Sequence, residues 1–147
     1  MVGLLDVNML IALAWPSHVH HTLAHAWFSR HSADGWASCP LTQCGFIRIS
    51  SNRKIIPEAV APRHAVALLR RITKLPGHVF WPDDIMWSDP CIPEDFLVGH
   101  RQVTDAYLLG LAIRNKGRLI TLDKGLSSLL TSSSPNRKSL CIVSKSP

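Results

Sequence analysis

At 147 residues, with a formal net charge of +6 and a sequence pI of about 9.6, the chain suits a single domain (residues 1-147) and favours a polyanionic partner, although solubility accounts for part of such a charge. No apolar run is long enough to cross a bilayer, and the amino terminus, "MVGLLDVNMLIALAW", lacks a basic leader and carries Asp6 and Asn8 inside its apolar stretch. Cys39, Cys44, Cys91 and Cys141 form no CxxC pair, which argues against a secreted disulfide scaffold and suits reduced thiols in a cytoplasm, with Cys44 and Cys141 expected in the core.

In chain order, "VGLLD" predicts a short strand, and Asn8 is placed to cap a helix through Ala14. "WPSHVHH" predicts a turn into a second helix ending near Arg30, with Ala24, Trp27 and Phe28 inward. His18, His20, His21 and His25 crowd there without Cys or acid at ligand spacing, so the cluster reads as a solvated helix start rather than a zinc site. "GWASCP" predicts a second strand, and "LTQCGFIRISSN" a helix capped by Thr42 with Phe46, Ile47 and Ile49 packing. Beyond Pro57, "AVAPRHAVALLRRITKL" predicts a helix and "HVFWP" a third strand, followed by a turn at Asp83 and Asp84. "IPEDFLVG" reads as a short helix, and the apolar spacing after Asp105 predicts another that stops at Lys116 and Gly117. A strand through Leu119, Ile120 and Leu122, a short "KGLSSLL" helix, a serine-rich surface loop and a last strand "SLCIV" complete the chain. Trp15, Trp27 and Trp36 fall in apolar patterns, whereas Trp81 and Trp87 border prolines and are candidates for stacking on a base.

Alternating strands and helices predict an α/β fold around a mostly parallel sheet with helices on both faces, in which ligands gather at the carboxyl ends of the strands. Asp6 ends the first strand and Asp123 the fourth. From Asp105 a helix descends roughly 15 Å at about 1.5 Å per residue, and the next strand climbs roughly 16 Å at about 3.3 Å per residue, returning Asp123 to the level of Asp105. The bland alternative is that Asp6 and Asp123 cap the helices behind them and Asp105 sits in a first turn that favours acids. Three of only ten acids at one edge are harder to attribute to capping.

The segments "LLDVNMLIAL", "CPLTQCGFIRISSN", "HRQVTDAYLLGLA" and "LITLDKGL" together resemble the PIN-domain ribonucleases, specifically the VapC-type toxins of toxin–antitoxin pairs, in the right order over nearly the whole chain. The resemblance implies a PIN-like α/β/α sandwich and a Mg²⁺- or Mn²⁺-dependent endoribonuclease leaving 5′-phosphate and 3′-hydroxyl ends. It also implies a cognate antitoxin as partner and a homodimer, for which Leu10 and Ile11 or Trp27 and Phe28 offer apolar faces. By resemblance the catalytic, metal-holding acids are Asp6, Asp105 and Asp123. Gln43 stands where a glutamate is usual, which removes one negative charge; the amide is expected to touch a cation-bound water.

On that reading Asp6 and Asp105 share the main cation and Asp123 holds a second one or its water. Asn8 and Thr104 orient the carboxylates, or else are ordinary caps. Arg48, His100, Arg101 and Lys124 are the candidates for RNA contact, and Arg63, Arg70, Arg71 and Lys74 form a basic face of less specific meaning. Two other functions compete. One is a PIN-fold RNA- or protein-binding module that lost catalysis through Gln43; the other is a haloacid-dehalogenase-like phosphatase, disfavoured because Asn8 stands where its second aspartate belongs.

Overall fold

The computed structural model describes residues 1–145. Five short strands, β1 (Gly3–Leu5), β2 (Trp36–Ser38), β3 (His78–Phe80), β4 (Arg118–Thr121) and β5 (Leu140–Ile142), pair only in parallel, in the order β3-β2-β1-β4-β5. Parallel strands need crossovers, which here are α1 (Val7–Ala14) and α2 (His21–His31), then α3 (Pro40–Ser50) and α4 (Pro62–Ile72), then α5 (Val103–Arg114). The chain builds outward from β1 to β3, then returns to the other side of β1 with β4. Strand order therefore reverses between β1 and β4, the place where such sheets open a crevice at their carboxyl ends.

Strand alternation divides the core between the two faces. Leu4 and Leu119 point with Ala37 toward the buried side of α5, among Leu108, Leu109 and Leu111. Leu5 and Ile120 point the other way, into Met9, Leu10, Trp36 and Phe46 beneath the first four helices. Both faces of the central strands are dry, as near-continuous apolar runs require. Gly45 lets α3 close on α1: a Cβ there would stand 2.6 Å from Val7 Cγ2, so any larger residue would push α3 off the first turn that carries Asp6.

Several expectations from sequence are corrected. No helix forms over "IPEDFLVG": Glu94, Asp95 and Phe96 are exposed, and so short a segment with one inward stripe, Ile92 and Leu97, buries too little to hold a helix. The short helix expected over "KGLSSLL" forms as a 3-10 stretch, Lys124–Leu129, and the serine-rich segment is an exposed turn only over Thr131, Ser132 and Ser133, because a second 3-10 stretch, Pro135–Ser139, follows it and Leu126, Leu129 and Leu130 enter the core. There the Arg137 guanidinium donates to the carbonyls of Thr131, Ser127 and Leu130. Cys44 is exposed and Cys141 half-buried, while Cys39 is the buried cysteine, its thiol pushed up to about 11 by burial. Trp81 is buried against Gly117, leaving Trp87 the exposed tryptophan of that pair. Leu10, Ile11 and Trp27 are core residues and so are not free to form a dimer face. Thr42 sits in the third position of α3 rather than at its cap; its hydroxyl accepts from the Cys39 N–H at 3.0 Å. Among the described residues no helix is long and apolar enough to cross a membrane.

Candidate active site

The turn from β1 into α1 places Asp6 at the helix cap, where Oδ1 accepts from the Val7 N–H at 2.7 Å. Asn8 is therefore inside α1 and does not cap it. Asp6 Oδ2 accepts from the Thr121 hydroxyl at 2.8 Å and from Asn8 Nδ2 at 3.4 Å. Thr121 Oγ1 in turn accepts from Asn8 Nδ2 at 3.0 Å and from the Asp123 N–H at 3.1 Å, and Asn8 Oδ1 accepts from the Leu122 N–H at 3.0 Å. This network stitches the ends of β1 and β4 together and aims the Asp6 carboxylate.

Asp6 is only 6% exposed, and burial raises its pKa despite the hydrogen bonds from Thr121 and Val7, with the charge of Asp123 pushing the same way. Asp105, in the first turn of α5, is pushed up to about 6, first by burial and then by the charges of Asp6 and Asp123. Asp123 is exposed and caps the 3-10 turn behind it, Oδ1 accepting from the Gly125 N–H at 2.8 Å. Capping is thus real at both strand ends. It does not account for a cavity of about 410 Å³ lined by Asp6, Asn8, Asp105 and Asp123, in which the charge of Asp123 makes Asp6 harder to ionise and the charges of both make Asp105 harder to ionise.

Such an arrangement invites a cation. Among the described residues no three His, Cys, Asp or Glu side chains stand close enough to enclose a metal ion. Mg²⁺ does not require that: it keeps several waters and is held by one or two carboxylates, so a half-open acidic cavity of hard oxygen donors fits it.

The other expected residues divide sharply. Arg101 lines an adjoining cavity of about 290 Å³ that shares Asp105 and Asp123, which places a cation beside the acids. Lys124 lines a separate groove with His20, Leu122 and Val143, while Arg48 and His100 are exposed and line neither acidic cavity. Thr104 is exposed and makes no hydrogen bond to a carboxylate among the described residues; Thr121 takes the orienting part instead. Gln43 is also corrected. Its Nε2 donates to Ser38 Oγ at 3.0 Å, Ser38 is 2.7 Å from His78 Nε2, and Gln43 lines neither acidic cavity, because its place on α3 turns it toward the end of β2.

Two residues were missed by sequence reasoning. Thr121 looks like any β-branched strand residue until β1 is laid beside β4. His18 lines the acidic cavity, so that histidine is not simply part of a solvated helix start; the turn before α2 folds back over the strand ends. Surface charge adds one further constraint: the described residues contain a single ion pair, exposed Arg114 with Asp89 at 3.2 Å, so little of the positive charge is offset by a neighbouring acid.

No family model matches the chain. It is 48% identical over 128 residues to ribonuclease VapC39 of Mycobacterium tuberculosis, covering 86% of this chain and 92% of that one. Ribonuclease VapC38 of the same organism is 46% identical over 128 residues (87% and 89% covered), and ribonuclease VapC44 is 41% identical over 128 residues (86% and 89%). Among solved structures, the crystal structure of VapBC2 from Rickettsia felis bound to a DNA fragment from their promoter superposes with a TM-score of 0.61 over 97% of both chains. At 12% identity that likeness establishes the fold alone.

Proposed function

Because the chain belongs to the VapC ribonuclease family, we propose that it is a metal-dependent endoribonuclease, the toxin of a type II pair neutralised by a cognate antitoxin, with the Asp6–Asp105–Asp123 cavity as its active site. The observation that carries this reading is the cavity itself: three carboxylates brought to the β1/β4 crevice, two with raised pKa. Asp6 and Asp105 would hold the principal Mg²⁺ or Mn²⁺, and Asp123 its water or a second ion. A bound divalent cation supplies Lewis acidity, lowering the pKa of water and offsetting charge on the scissile phosphate.

The chain's own residues do the rest. Thr121 and Asn8 fix the Asp6 carboxylate so that it need not reorganise when the cation enters. Arg101 stands at the mouth of the shared cavity, where its fork of N–H donors suits a phosphate. Asp123 is exposed and, among the described residues, has no hydrogen-bond partner at Oδ2, which makes it the most accessible carboxylate to steer an attacking water. Since Gln43 lies on Ser38, an amide there takes no carboxylate out of the cavity, which disfavours a catalytically silent binding module.

The test is incubation of purified, antitoxin-free protein with total cellular RNA and Mg²⁺ or Mn²⁺, beside EDTA and an Asp6→Ala variant. Discrete fragments with 5′-phosphate ends, absent with chelator and variant, are the expected result. Intact RNA from a folded protein in every lane contradicts the proposal.

A further inference from the structure

Of the four histidines around the start of α2, His18 is the one that reaches the acidic cavity. His21 is committed elsewhere, its Nδ1 bonded to the Ala12 carbonyl at 2.7 Å, and the His25 ring packs tilted against it at 4.5 Å between ring centroids. His20 lines the separate groove with Lys124. The tautomer of His18 follows from its own hydrogen bond: Nδ1 accepts from the His20 backbone N–H at 3.0 Å, and a ring nitrogen that accepts carries no proton. Neutral His18 therefore keeps its hydrogen on Nε2, and among the described residues no protein group accepts it. Burial first, then His20 and His21, hold its pKa below the usual histidine range, which maintains the neutral form near pH 7.

Beside His18 the cavity has an apolar wall of Ile49, Ile55 and Ile56, with Ile55 57% exposed. A cation and its waters have no use for isoleucines. A nucleobase or ribose does, since an unstacked nucleotide can pack its apolar face between aromatic or apolar side chains while its polar edges are hydrogen-bonded.

We infer that His18 is a substrate-positioning residue, donating Nε2–H to a phosphate or ribose oxygen of an RNA nucleotide whose base or sugar lies on the Ile49–Ile55–Ile56 wall. The ligand class rests on the ribonuclease reading above. A neutral donor gives this position orientation without adding charge, and the phosphate attraction is left to Arg101. Binding should then depend on His18 more than turnover does, because Asp6, Asp105 and Asp123 are untouched by its removal.

The experiment measures Kd by fluorescence anisotropy, with a labelled single-stranded RNA of mixed sequence in EDTA, alongside kcat and KM for the same RNA with Mn²⁺. Wild type, His18→Ala and His18→Gln are compared. Loss of one neutral hydrogen bond should raise Kd and KM about tenfold in His18→Ala with kcat changed less than about threefold, and the Gln amide should recover most of the loss. Should the alanine variant fail to fold, His18→Met, as long as Gln but without a donor, replaces it. Unchanged Kd in a folded His18→Ala, or a Gln variant as weak as Ala, overturns the role. A wild type that binds this RNA but leaves it whole with Mn²⁺ overturns the nuclease reading, while the Kd comparison still decides His18.

Discussion

Asp6 and Asp123 follow neighbouring parallel strands and each caps the helical turn behind it, yet their surroundings could hardly differ more. Asp6 is buried, gripped by Val7, Thr121 and Asn8, and held above the ordinary carboxyl range. Asp123 is exposed and has one short bond, to the Gly125 N–H. Position at a strand end thus says little about a carboxylate; how far water has been removed, and what replaces it, decides whether it is held stiffly or left adaptable.

The contrast breaks most visibly at Asp6. Asp6→Asn should lower RNA cleavage roughly 10³-fold while circular dichroism stays native, since a buried charge at the centre of the site is lost but the cap acceptor survives. Asp123→Asn should cost less, about 10- to 100-fold, because solvent can substitute for an exposed ligand. Equal losses in the two variants would dissolve the distinction drawn here. Thr121→Val sharpens it: removing the hydroxyl leaves Asp6 Oδ2 only the longer bond from Asn8, so cleavage should fall about tenfold and stability by roughly 1–3 kcal/mol.

Smaller still is the effect of proton linkage at Asp105. Its carboxyl ionises near 3.8 ordinarily and at about 6 in the fold. Between those values the folded protein binds the extra proton, so metal-free stability should fall as pH rises through that window and then level off. Asp105→Asn should raise the metal-free melting temperature near pH 7 by a few degrees, about 1 kcal/mol once partial solvent screening is allowed for. Mg²⁺ should stabilise the wild type near pH 7 and much less near pH 5. Thr104→Ala should change neither stability nor cleavage measurably, whereas a tenfold loss would restore the orienting part that Thr121 has taken.

Much of this frame was legible before any coordinates. The apolar strand-and-helix alternation placed all five strands and all five helices, because burial on one face leaves a periodic trace, and it brought Asp6, Asp105 and Asp123 to one edge because helix rise and strand rise return the chain to the same level. Thr121 was invisible because a hydroxyl that donates across two strands has no periodic signature. Gln43 shows the limit of resemblance: the position matched, but its partner, Ser38, is fixed by how α3 leaves β2. Trp81 misled because bordering prolines resemble exposure, although its ring fills the space that Gly117 leaves open.

The measurement that bears most directly on the central claim is Mn²⁺ binding followed by electron paramagnetic resonance, for wild type, Asp6→Asn, Asp105→Asn and Asp123→Asn. One carboxylate site predicts that binding is lost in the first two variants and weakened in the third. Undiminished binding in folded Asp6→Asn and Asp105→Asn would contradict it.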